Sequence, residues 1–275
     1  MTESNETNSG TPSSEAVSNP SSEPVTVLVI GGSGGIGGAL VDRLLRGGHH
    51  VVATGRDEDR LSELAEADRA GGDRLQTRVL ANAADFDALD ELVSEVASGG
   101  KDRGAPLRGL ANCAGSILLK PAHLTTADDF RETLEQNLHT AFSAVRAAGR
   151  HMRKGGSVVL FSSGAARMGL QSHEAVAAAK AGVEGLVRAA AATYAARNLR
   201  VNGVAPGLVD TPLASRILGT DAGRKASESL HALGRLGEPD DVAGLAAFLL
   251  DPKNDWITGQ VMGVDGGLGS VRSRG

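Results

Sequence analysis

The run Val25-Thr26-Val27-Leu28-Val29-Ile30 leads directly into Gly31-Gly32-Ser33-Gly34-Gly35-Ile36-Gly37. An unbroken stretch of β-branched and apolar residues predicts a strand buried on both faces. Ile36, Leu40 and Leu44 then recur at helical spacing, and Gly47-Gly48 ends that pattern. Glycines between a strand and a helix have a specific physical use. One lets the chain turn sharply out of the strand. Others let backbone N–H groups approach an anion with no side chain in the way, and the helix N-terminus adds free N–H groups and partial positive charge. The segment therefore predicts a phosphate-cradling loop, although a glycine-rich turn without a ligand would share its composition.

The pattern repeats down the chain. His49–Thr54 predicts a second strand, and Asp57 starts a helical stretch through Leu61 and Leu64. Strand-like runs follow at Leu75–Leu80, Leu107–Ala111, Ser157–Phe161, Arg200–Val204 and Gln260–Val264, with long helical stretches at Ala127–Met152 and Glu174–Arg197. Strands alternating with helices predict βαβ units and a parallel sheet. Residues 1–23 are almost wholly Ser, Thr, Asn, Glu and Pro and predict a disordered tail; residues 24–270 predict a single domain, and 271–275 a loose end.

Composition agrees and excludes some roles. Aromatic residues are only 3% of the 275, so Val, Leu, Ile and Ala must build the core, as in parallel sheets covered by Ala-rich helices. A net charge of −5 without a long basic run argues against nucleic acid as a partner. No stretch of about 18 apolar residues predicts a membrane span. The single Cys113 cannot form an internal disulfide, the N-terminus lacks an apolar signal core, and a cytoplasmic location is the default expectation. No metal site is expected.

The loop GGSGGIG resembles the TGxxxGIG loop of the short-chain dehydrogenase/reductase family, with Ile30 where the family usually has Thr. The resemblance runs from about residue 25 to 268. Asn112-Cys113-Ala114-Gly115 resembles the family's NNAG, and Asn137 falls where a family helix carries a structural and catalytic Asn. Phe161-Ser162-Ser163 resembles the strand end that holds the catalytic Ser, and VNGVAPGLVDTPL at 201–213 resembles the PG loop. GRLGEPDDVAGLAAFLLD and ITGQVMGVDGG complete the match. The resemblance implies a doubly wound Rossmann α/β fold, with a seven-stranded, mainly parallel sheet and helices on both faces. It implies a nicotinamide dinucleotide held by Gly31, Ser33, Gly35, Ile36, Gly37, Asn82, Ala83, Asn112, Ala114, Gly115, Lys180, Pro206, Gly207, Val209 and Thr211. At the end of the second strand, Gly55 occupies the place where NAD-preferring relatives carry Asp, and Arg56 follows. A carboxylate there would accept the ribose 2′-hydroxyl, whereas an Arg accommodates a 2′-phosphate. This favours NADP(H) over NAD(H), with Arg56 as its partner; the alternative is a solvated Arg56 paired with Asp57 or Glu58.

The same resemblance exposes a gap. The family uses Ser, Tyr and Lys, with the Tyr donating or removing the proton on the substrate oxygen. Ser163 and Lys180 stand at the family's separation, but the position four residues before Lys180 is Val176. The only tyrosine, Tyr194, lies about 27 Å further along the same predicted helix, out of reach. Three explanations stay open. His173 supplies the proton, its pKa range being suited to neutral pH; water held by Ser163 and Lys180 supplies it; or the chain binds a nucleotide without redox turnover. The candidate catalytic set is Ser163, Lys180, Asn137 and His173, acting on a small-molecule substrate.

Segment 213–235 falls where the family places its substrate-covering loop. Its Arg216, Arg224, Lys225 and His231 are expected on the face of a solvated helix rather than against an acidic substrate. The Ala-rich helices at 138–149 and 175–196 resemble those that pair subunits in the family, implying a homodimer or homotetramer.

Overall fold

The computed structural model describes residues 23–67 and 72–271. The expected tail over 1–23 and loose end over 271–275 thus lie outside the described residues, apart from one residue each. Seven strands, β1 (Thr26–Ile30), β2 (His50–Gly55), β3 (Leu75–Val79), β4 (Leu107–Asn112), β5 (Gly156–Phe161), β6 (Leu199–Pro206) and β7 (Val261–Val264), form one sheet. The order is β3-β2-β1-β4-β5-β6-β7 and every pairing is parallel. The sheet is wholly rather than mainly parallel. Each connection carries a crossover, and among the described residues no hairpin reverses a neighbour.

The helices are α1 (Gly35–Arg46), α2 (Glu58–Ala67), α3 (Phe86–Asp102), α4 (Ala127–Leu134), α5 (Thr140–His151), α6 (Glu174–Tyr194), α7 (Ser215–Leu218), α8 (Asp221–Leu230) and α9 (Pro239–Leu250). Side chains alternate across β1 into two cores. Leu28 and Ile30 join Leu89, Val93, Ala144 and Val187 from α3, α5 and α6 on one face. Val27 and Val29 join Leu40, Leu44, Val242 and Leu249 from α1 and α9 on the other. The continuous apolar run of β1 is thus explained by burial on both faces. Truncating a buried Leu here to Ala would cost about 2–5 kcal/mol.

The helical stretch expected over 127–152 is interrupted. A π turn spans Glu135–His139, where the Thr140 N–H reaches back to the Glu135 carbonyl. Asn137 Nδ2 donates to the Thr133 carbonyl at 2.9 Å, competing with the backbone ladder that a regular α-helix needs. Such turns often mark functional positions. Among the described residues, no helix is long and apolar enough to cross a membrane.

Candidate active site

β1 pairs with β2 on one side and β4 on the other, so the chain's winding reverses between β1 and β4. A crevice outside the strand ends at such a point is where ligands bind in open α/β sheets. Ile30 and Asn112 are register partners at those ends, which sets the glycine loop beside Cys113-Ala114. Gly31 adopts φ +77°, and a Cβ on it would stand 3.0 Å from Ala114 N. A Cβ on Gly37 would stand 2.1 Å from the Gly31 carbonyl oxygen, and one on Gly35 2.6 Å from Thr211 Cγ2. Only glycine fits this path. Gly34, preceding α1, provides no side-chain cap, and the first turn holds no acidic residue. Its N–H groups are thus available to an anion. The bare, tightly folded cradle fits a pyrophosphate.

At the end of β2, a Cβ on Gly55 would stand 2.3 Å from Ser33 Oγ. Ser33 occupies the space from which a carboxylate would otherwise project. Arg56 is exposed and, among the described residues, forms no ion pair. Asp57 is instead paired with Arg60 at 3.7 Å, so the Arg56–Asp57 pairing does not form. Asn82 is exposed; it donates to Glu135 Oε1 at 3.0 Å and accepts from Ala84 N–H at 2.9 Å, with half-buried Ala83 between.

Deeper in the crevice, Asn112 is buried, donating to Thr140 Oγ1 and accepting from Ala114 N–H, each at 3.3 Å. The π turn delivers Asn137 to the next segment: its Nδ2 donates to Ser116 Oγ at 3.0 Å, and its Oδ1 accepts from Ser116 N–H at 3.2 Å. Lys180 is 8% exposed and donates to the Phe161 carbonyl at 2.9 Å. A Cβ on Gly115 would stand 3.0 Å from Asn137 Oδ1 and 3.3 Å from Lys180 Nζ. Gly115, Asn137 and Lys180 therefore converge. Burial lowers the Lys180 ammonium from 10.5 to about 8, against the opposing pull of Cys113. Burial pushes the Cys113 thiol up to about 12, so it is no nucleophile at neutral pH. The role of Ser116 as the partner of Asn137 carries no signal in the sequence beyond its adjacency to Gly115.

Ser163 ends the extension of β5, and its Oγ accepts from Ala165 N–H at 3.2 Å. Val176 is 5% exposed on the first turn of α6, one turn before Lys180 on the same face. His173 precedes the helix, and its Nδ1 donates to the Gln171 carbonyl at 2.8 Å. Tyr194 ends α6 and packs against the core, with its hydroxyl 2.5 Å from where a Gly149 Cβ would be. It is remote from Val176.

The segment 207–211 follows β6. Gly207 N–H donates to the Val264 carbonyl at 3.1 Å, and Val209 forms a parallel bridge to Gly237. Thr211 lies over Gly35. The expectation for 213–235 needs one correction. Arg224 pairs with Asp210 at 2.8 Å, but His231 is 3% exposed rather than solvated. It follows the last turn of α8, where the chain bends inward and both ring nitrogens find backbone partners.

A wholly parallel doubly wound sheet with a glycine cradle at its switch point defines a nucleotide-binding class of α/β protein. The family model described as enoyl-(acyl carrier protein) reductase matches residues 31–269. A tropinone reductase homolog of Arabidopsis thaliana is 36% identical over 248 residues, covering 89% of this chain and 90% of that protein. Senescence-associated protein 13 of the same plant is 33% identical, covering 88% and 89%. Among solved structures, ElxO with NADP bound shares 28% identity at a TM-score of 0.80, covering 90% of this chain and all of that one (100%). An oxidoreductase of the short-chain dehydrogenase/reductase family from Burkholderia thailandensis shares 29% at a TM-score of 0.80, covering 90% and 93%. The chain belongs to the short-chain dehydrogenase/reductase family of oxidoreductases.

Proposed function

We propose that the chain is an NADP(H)-dependent reductase or dehydrogenase of a small carbonyl or alcohol, with proton transfer arranged without the usual tyrosine. The observation that carries this reading is the convergence of Lys180 Nζ and Asn137 Oδ1 at Gly115, with the glycine cradle on the same sheet edge. Gly31, Gly35, Ile36 and Gly37 hold the pyrophosphate; Ser33 and Arg56 face the 2′-phosphate; Asn82 and Ala83 flank the adenine. Asn112, Ala114, Gly115 and Lys180 hold the nicotinamide ribose, with Pro206, Gly207, Val209 and Thr211 closing over the ring. ElxO, with NADP bound, supports the choice of dinucleotide. A bound nicotinamide supplies hydride chemistry.

The chain's own residues handle the proton. Ser163 Oγ orients the substrate oxygen. The Lys180 ammonium, brought down to about 8 by burial, holds its proton at neutral pH and releases it more readily than an exposed lysine. We assign the proton to water held between Ser163 and Lys180 in the space the tyrosine would fill. His173, whose Nδ1 donates to the Gln171 carbonyl and whose Nε2 is left for another partner, is the alternative donor. A second reading has its own observation: buried Val176 offers no proton, and a chain that binds the dinucleotide without turnover would tolerate it.

Mixing the purified chain with NADPH and a panel of ketones and aldehydes, tropinone among them, separates the two. Loss of NADPH absorbance, surviving His173→Ala, supports the water route. Loss of turnover in a folded His173→Ala transfers the role to that residue. NADPH binding with no turnover on any substrate selects the silent reading.

A further inference from the structure

We propose that His231 is a positioning residue: its imidazole ties α8 to the Gly207-Leu208 backbone. The inference rests on reading the crevice as a dinucleotide site, because Gly207 and Leu208 belong to the segment assigned to cover the nicotinamide.

Both ring nitrogens are fully specified by their partners. Nδ1 lies 2.8 Å from the Ser227 carbonyl oxygen, which can only accept, so Nδ1 carries the hydrogen. Nε2 lies 3.1 Å from Leu208 N, which can only donate, so Nε2 presents its lone pair. One neutral tautomer satisfies both bonds. The imidazolium does not, since it would set N–H against N–H at the Leu208 contact.

The ring also fits where no other side chain leaves room. A Cβ on Gly207 would stand 2.6 Å from Nε2, and a Cβ on Gly266 3.3 Å from the His231 Cβ. The turn after His231 grips the same segment again: Gly237 N–H donates to the Leu208 carbonyl at 3.0 Å, and Asp210 N–H to the Gly237 carbonyl at 2.9 Å. Both backbone groups of Leu208 are thus held from 231–237. A displacement of α8 must be felt at Leu208, and the reverse.

The charged groups near the ring are bonded elsewhere or lie on its own helix. The cavity of about 340 Å³ beside it is lined by Arg235, Asp241 and Asp265 as well as His231. Arg235 and Asp241 are paired at 2.7 Å. The Asp265 carboxylate accepts from Gly267 and Gly269 N–H at 3.0 and 2.9 Å. Arg224 of α8 is paired with Asp210 at 2.8 Å, while Lys225 and Glu228 lie on the same helix. Among the described residues, no carboxylate forms a hydrogen bond or ion pair with the ring.

Hydrogen exchange at the Leu208 amide of the full chain, corrected for intrinsic exchange, tests this in the wild type, His231→Gln and His231→Phe. NADPH affinity is measured in parallel. His231→Phe should lose about tenfold of the Leu208 protection, the equivalent of one hydrogen bond, with a parallel fall in NADPH affinity. His231→Gln, whose carboxamide offers one donor and one acceptor, should keep both. Unchanged Leu208 protection in His231→Phe, or its loss in a folded His231→Gln, overturns the proposal. If His231→Phe fails to fold, the wild-type and His231→Gln comparison decides alone. If NADPH does not bind the wild type, the dinucleotide reading fails, while Leu208 exchange still decides the role of His231.

Discussion

The Ser33 hydroxyl fills the space in which a side chain at Gly55 would begin, 2.3 Å from an ideal Cβ. If the crevice holds a dinucleotide, its preference depends on both positions. Gly55→Asp cannot be accommodated without moving Ser33, so it should weaken NADPH at least tenfold without creating tight NADH binding. The double variant Gly55→Asp/Ser33→Gly should gain NADH affinity. Dissociation constants for both dinucleotides check this; NADH gained by Gly55→Asp alone would show that Ser33 yields freely.

Arg56 is exposed and unpaired among the described residues, so its guanidinium is available to a 2′-phosphate. Charged hydrogen bonds of this kind are worth about 10–100-fold in affinity. Arg56→Asp should weaken NADPH by that order and leave NADH nearly unchanged, as read by titration with each. Equal losses would remove the 2′-phosphate assignment.

Burying the Lys180 ammonium carries a stability cost. Its folded pKa is lowered from 10.5 to about 8, so the unfolded chain binds the proton more tightly. The penalty is full below about pH 8, fades as pH rises, and is gone above the unfolded value. Lys180→Met removes roughly 3 kcal/mol of that penalty and loses about 1 kcal/mol from the bond to Phe161. It should thus stabilise the chain by about 2 kcal/mol at pH 7, with the advantage lost by about pH 10.5, while weakening NADPH. Denaturant melts at both pH values test the sign. Destabilisation at pH 7 would mean that Lys180 is compensated in the fold.

Val176 stands one turn before Lys180. Restoring a hydroxyl there by Val176→Tyr should raise the reductase rate about 100-fold, within the range for a positioned general acid. Steady-state kinetics on the best substrate of the panel measure it. No gain in a folded variant would mean that the pocket has diverged beyond the missing side chain.

The sheet was legible because β1 and β5 are dominated by apolar residues on both faces and the glycine loop marks one strand-to-helix passage. The π turn at Glu135–His139 was not: periodicity reads 127–152 as one helix, and only the side-chain bonds of Asn137 to Thr133 and Ser116 show where the ladder slips. Charge and helical spacing put His231 on a solvated face with the rest of its segment; its burial depends on Gly207 and Gly266 being free of side chains, a tertiary condition that local pattern does not carry. Ser33 facing Gly55 is of the same kind. Motif order places both residues in one site, but the contact between them is a matter of ångströms.

Calorimetric titration of the full chain with NADPH and NADH reads the crevice most directly. Saturable one-site binding of NADPH, at least tenfold tighter than NADH, is the predicted result. Absence of binding by either dinucleotide, or equal affinity for both, would contradict a crevice built for NADP(H).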